Sequence, residues 1–95
     1  MSKQLRTGNL YGDITDDQGQ RLGGVTIEVS GPDNPAAQVS DAQGRFRFLA
    51  LLPGTYCLTA ELAGFETLEY PKVVIGVGRN TTLELTLSPP RGDGP

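Results

Sequence analysis

Ninety-five residues make one small domain, in which folding hides roughly 60 to 65% of the unfolded surface, enough for a core but not for a large enclosed active site. A formal charge of −3 and a pI near 4.7, with eight Lys and Arg scattered and in no block, argue against the basic patch of a nucleic-acid-binding domain. The chain has no histidine, which removes the usual general base, the usual zinc ligand and the Ser/His and Cys/His pairings of nucleophilic enzymes; a single cysteine, Cys57, excludes an internal disulfide.

Residues 1–7 are polar, contain no apolar signal-peptide core and read as a loose lead-in. No apolar run approaches the about 18 residues of a membrane span. Leu10, Gly12 and Ile14 then alternate with Tyr11, Asp13 and Thr15, the period of a strand, before Asp16-Asp17-Gln18-Gly19 reverses the chain. Val25, Ile27 and Val29 face inward against Thr26, Glu28 and Ser30 in the clearest strand of the chain. Gly31-Pro32-Asp33-Asn34-Pro35 is a surface loop, since two prolines remove ladder donors, and 36–40 is a short, weak edge strand.

Asp41 can turn its side chain onto the backbone two residues ahead and Gly44 supplies an open conformation, so the chain reverses into Phe46 and Phe48, with Arg45 and Arg47 on the opposite face. Pro53-Gly54 suits the middle of a type II turn. A second alternating run follows, Tyr56, Leu58, Ala60 and Leu62, whose polar set Thr55, Thr59 and Glu61 takes Cys57 toward the surface. Ala63-Gly64 turns the chain, and residues 65–70 and 73–77 read as two shorter strands separated by Pro71. Gly76-Val77-Gly78-Arg79-Asn80 makes the last reversal, Thr81, Leu83, Leu85 and Leu87 alternate through the final strand, and residues 89–95 form a tail or linker with nothing to bury. No segment shows helical periodicity, so the pattern specifies an all-β fold of seven or eight strands. Its core is expected to unite Ile27, Phe46, Tyr56, Leu58, Leu83 and Leu85.

Asp41-x-x-Gly44-x-Phe46, Leu51-x-Pro53-Gly54-x-Tyr56 and, upstream, Gly12-x-Ile14-x-Asp16-x-x-Gly19-x-x-Leu22-x-Gly24-Val25-x-Ile27 together resemble the carboxypeptidase regulatory-like domain family. The likeness runs from about Leu10 to Leu87 and implies a Greek-key, transthyretin-like (prealbumin-like) β-sandwich over residues 8–88. It further implies a non-catalytic accessory module, a spacer or docking surface, in a larger secreted or outer-membrane protein such as a TonB-dependent receptor or a metallocarboxypeptidase. On that reading the chain is a domain excised from a longer extracytoplasmic precursor and given a new Met1. Its partners are other domains of the parent chain or another protein, docked along the edge near residues 36–40, and in isolation it is a monomer.

No residue is assigned a catalytic, cofactor or metal role, and each candidate has a plainer reading. Asp13, Asp16 and Asp17 suggest calcium, but the EF-hand pattern is absent and a solvated turn accounts for them. Glu28, Glu61, Glu66, Glu69 and Glu84 lie on strand positions read as outward, where cross-strand pairs with Arg45, Arg47 or Arg79 suit them better than acid–base chemistry across a cleft. An internal isopeptide of the collagen-adhesin B type needs a first-strand lysine and a glutamate four residues beyond the tyrosine. Those places hold Ile14, Thr15 and Ala60, while Lys3 and Lys72 lie elsewhere. The transthyretin-like hydrolases of purine-derived rings and the intradiol dioxygenases depend on histidines that this chain lacks. Arg91-Gly92-Asp93 is a three-residue match to an integrin motif of the kind chance supplies. The alternative function is carbohydrate binding, with Tyr11 and Tyr70 as the stacking platform.

Overall fold

Period-two alternation becomes seven strands over residues 6–31 and 35–90, the part of the chain that the computed structural model describes. They are β1 (Gly8–Asp16), β2 (Thr26–Ser30), β3 (Ala36–Val39), β4 (Arg45–Leu51), β5 (Gly54–Glu61), β6 (Leu68–Ile75) and β7 (Asn80–Leu87). β1 lies between β4, antiparallel to it, and β7, parallel to it, in a three-stranded sheet. The second sheet, ordered β3-β2-β5-β6, is antiparallel throughout. Only β2–β3 and β5–β6 are joined within one sheet; every other connection crosses between the layers. The lead-in and tail lie mostly outside the described residues, as do Lys3, Pro32, Asp33, Asn34 and the Arg91-Gly92-Asp93 tripeptide.

Alternation decides what fills the space between the sheets. Leu10 and Ile14 of β1, Ile27 and Val29 of β2, Phe46 and Phe48 of β4, Tyr56 and Leu58 of β5 and Leu85 and Leu87 of β7 are buried together, with Leu83 half-buried against them. Full burial of such side chains contributes about 1.5 to 3 kcal/mol each. Gly12 shares the inward face because nothing larger fits: a Cβ there would lie 2.2 Å from Cζ of Phe46, its partner across β1 and β4. The Phe46 ring therefore lies over glycine backbone and meets Phe48 edge to face at 6.1 Å.

The structure corrects the sequence reading at three places. Residues 65–70 and 73–77 do not form two strands: β6 runs unbroken through Pro71, and Phe65 sits in the preceding turn, half-buried. β6 is the outer strand of its sheet, and between the pairs Tyr56↔Val73 and Leu58↔Tyr70 the register slips, so that Cys57 opposes both Pro71 and Lys72. A bulge at a sheet edge tolerates a residue with no amide donor. Second, Gly54 has φ 147°, not the roughly +80° of a type II turn, and the crossing from β4 to β5 instead places Ala50 at φ 60° and ties the Tyr56 hydroxyl to the Leu52 carbonyl at 2.7 Å. Third, the edge strand β3 stops at Val39, because Ser40 turns inward and is buried.

Candidate binding face

Two turns set the geometry of the outer face of the three-stranded sheet. At residues 41–44 the Asp41 carboxylate accepts the amides of Gln43 and Arg45, each at 2.9 Å, while the Asp41 carbonyl accepts the amide of Gly44. The Arg45 amide, reinforced by that of Gln43 and by the Arg45 charge, holds the Asp41 carboxyl below its ordinary range against a smaller opposing effect of desolvation. Gly44 takes φ +75°, and a Cβ there would lie 2.4 Å from the Ile14 carbonyl oxygen; its own carbonyl accepts the Ile14 amide, locking this turn onto β1. At the other end of β4, Asn9 opposes the slipped register: its side-chain carbonyl accepts the Ala50 amide and its side-chain NH2 donates to Asn80 of β7.

Between these anchors the strand registers align outward side chains in rows. Tyr11 stands between Arg47 on β4 and Thr82 on β7, and Asp13 between Arg45 and Glu84. Arg45 Nε approaches Asp13 Oδ1 at 3.8 Å, both side chains being well exposed, so the contact contributes little to stability. Gln38 and Val39 of the β3 edge rise beside these rows and close one side of a shallow concavity of about 530 Å³ lined by Tyr11, Asp13, Asp41, Arg45, Arg47 and Thr82. Val39, 61% exposed, and Leu49, 54% exposed, add apolar surface on the same flank of the molecule. The Tyr11 ring, more accessible than that of Phe46 beneath it and set among donors and acceptors on a fixed sheet, suits a neutral polar ligand or a peptide edge.

The residues singled out in the sequence are dispersed. Tyr11 and Tyr70 stand on different sheets and form no common platform. The expected Glu–Arg pairs are replaced: Glu28, Glu61 and Glu69 belong to the four-stranded sheet, Arg45 and Arg47 to the other, and Arg45 turns to Asp13. Asp16 is occupied by its own turn, one carboxylate oxygen accepting the amides of Gln18 and Gln20 at 2.8 Å, and the described residues contain no metal-binding cluster. Ile14 and Ala60 are fully buried apolar side chains, and Cys57 points outward. Two structural roles escaped the sequence reading, those of Ser40 and Asn9. Ser40 Oγ accepts the Val25 amide at 3.0 Å and donates to the Leu22 carbonyl at 2.8 Å; a serine at the end of a weak run gives no signal of this, and Asn9 precedes the alternation on which β1 was recognised. Among the described residues there is no helix, hence none long and apolar enough to cross a membrane.

Solved structures share this architecture. A TIE protein of Bacillus anthracis superposes with a TM-score of 0.74 at 19% identity over 88% of this chain and 17% of that one. A proposed carbohydrate-binding protein of Bacteroides uniformis does so with a TM-score of 0.70 at 21% identity, over 85% of this chain and 41% of that one. The chain thus spans less than half the length of either protein, and at these identities the likeness is one of fold. A 5-hydroxyisourate hydrolase of Klebsiella pneumoniae is similar over 87% of this chain and 92% of its own, with a TM-score of 0.68 and 30% identity. No curated protein sequence matches the chain. The model of the carboxypeptidase regulatory-like domain matches residues 9–88, from the second residue of β1 to the first beyond β7, and the chain belongs to that family.

Proposed function

We propose that this chain is a non-catalytic accessory module of a larger extracytoplasmic protein, secreted or of the outer membrane, in which it serves as an in-line spacer with one docking edge. The observation behind this is the parallel pairing of the first and last strands, from Asn9↔Asn80 to Asp16↔Leu87. Parallel neighbours begin at the same pole, so Gly8 and Leu87 lie at opposite poles, roughly 25 Å apart at a strand's rise per residue. The sandwich holds that separation rigid. The docking edge is β3, whose Ala37, Gln38 and Val39 are exposed beside the concavity and whose outer backbone groups face away from β2. TonB-dependent receptors and metallocarboxypeptidases are the host classes that the family suggests. Spin labels at Thr7→Cys and Ser88→Cys in a Cys57→Ser background test the spacer: one narrow distance near 30 Å is expected, and a broad or short distribution refutes it.

Two observations support other readings. Tyr11 on the concave face, together with the fold shared with the Bacteroides uniformis protein, favours carbohydrate binding. Glycan-array binding that disappears in Tyr11→Ala would establish it. The likeness to the 5-hydroxyisourate hydrolase favours catalysis, but the chain has no histidine and its one buried polar side chain among the described residues, Ser40, is fully engaged with backbone. Hydrolysis of 5-hydroxyisourate by the purified chain, above the rate in buffer, would restore that reading.

A further inference from the structure

We infer that the pairing of β1 with β7 is a mechanical clamp, so that this module resists tension applied between its two ends. The inference rests on the spacer reading for its use, and on the strand directions for its physics. When Gly8 and Leu87 are drawn apart, β1 is pulled toward its own start and β7 toward its own end. Because the strands are parallel neighbours, these pulls slide one along the other. Every hydrogen bond of an eight-position ladder, Asn9↔Asn80 to Asp16↔Leu87, is then loaded at once, whereas an antiparallel hairpin pulled at its open end releases its bonds one by one.

The ladder is also fastened beyond both of its ends. At the pole where β1 begins, the Gly78 amide donates to the Thr7 carbonyl at 2.8 Å. At the opposite pole the Glu66 amide donates to the Ser88 carbonyl at 2.9 Å, just past the last residue of β7. These bonds sit where tension first enters, so peeling from either end must break them before it reaches the ladder. Leu85 and Leu87 anchor β7 in the core, and β1 is bonded on both sides, to β4 as well as β7. Sliding therefore requires core side chains to leave together with the ladder. Forced unfolding follows the height of this barrier, not the equilibrium stability.

Single-molecule force spectroscopy on the whole chain, held between marker domains fused to its two ends, tests the clamp. The expected record is one all-or-none event releasing roughly 250 Å of chain, the extended length of residues 8–87 less their folded separation. The comparison pulls the same protein through Thr26→Cys and Val39→Cys in a Cys57→Ser background, exposed positions that face each other at the open end of the β2–β3 hairpin. That direction unzips, and is expected to yield at a several-fold lower force. Equal forces in the two directions would overturn the clamp, as would a separate short, low-force release of β7 before the main event. Either result with a single narrow distance between residues 7 and 88 would leave the spacer standing. A broad distance distribution would remove the spacer whatever the force.

Discussion

Ser40 and Asp41 are adjacent in sequence and opposite in environment. Buried Ser40 satisfies the amide of Val25 and the carbonyl of Leu22, so Ser40→Ala leaves two backbone groups without a partner and is expected to lower unfolding free energy by about 1 to 3 kcal/mol in urea titration. Ser40→Thr keeps the hydroxyl and tests whether the loss lies in the bonds. Asp41 is exposed and acts through charge: its amide partners hold its folded pKa below the ordinary 3.8. The folded chain thus binds this proton less readily than the unfolded chain does. The resulting stabilisation is complete above pH 3.8 and disappears as the pH falls through the folded value. Relative to Asp41→Asn, the wild type is expected to hold a constant advantage in urea midpoint at neutral pH and to lose it in acid; an advantage independent of pH would refute this. The Asp41 turn was legible because aspartate and glycine at that spacing act locally, whereas the Ser40 contacts, 15 and 18 residues away along the chain, depend on how the sheets meet.

Strands read well wherever period two and burial agree. β2, β4, β5 and β7 bury the faces that their alternation indicates, and of the six expected core residues five join one cluster while Leu83 packs half-buried against it. Leu58→Ala is expected to cost about 2 to 5 kcal/mol and Phe46→Ala about 3 to 5, the latter also uncovering the backbone of Gly12, and calorimetry of the two variants checks both. In the sequence Pro71 splits β6 into two runs, because proline argues against a central strand. Its place at the edge, where a bulge absorbs the missing donor, is decided by sheet order, and alternation says nothing of sheet order. Ala50 shows the same limit: alanine carries no sign of positive φ, and it takes one because the Asn9 side chain captures its amide where the ladder slips. The binding face was read in part. The outward parity of Tyr11 is visible in its own run, but the company of Arg47 and Thr82 follows from a three-strand register that no single run contains.

At the scale of the molecule, closing the three-stranded sheet brings together strands from the two ends of the chain: Asn9 meets Asn80, 71 residues away. Loop closure of that length precedes any reward from the contact, so refolding after denaturant dilution is expected in milliseconds to seconds, as for other sandwiches, and microsecond refolding in stopped-flow or temperature-jump fluorescence would contradict it. The same topology limits how the molecule can be rewired. In many domains the two termini lie close together, and a few residues suffice to join them for circular permutation. Here a peptide joining position 87 back to position 8 must travel the full length of the sheet, at least about eight extended residues, before any are spent on turning. A permutant with a shorter bridge would have to give up β7 or β1, whereas copies fused head to tail meet no such penalty and would extend in a line.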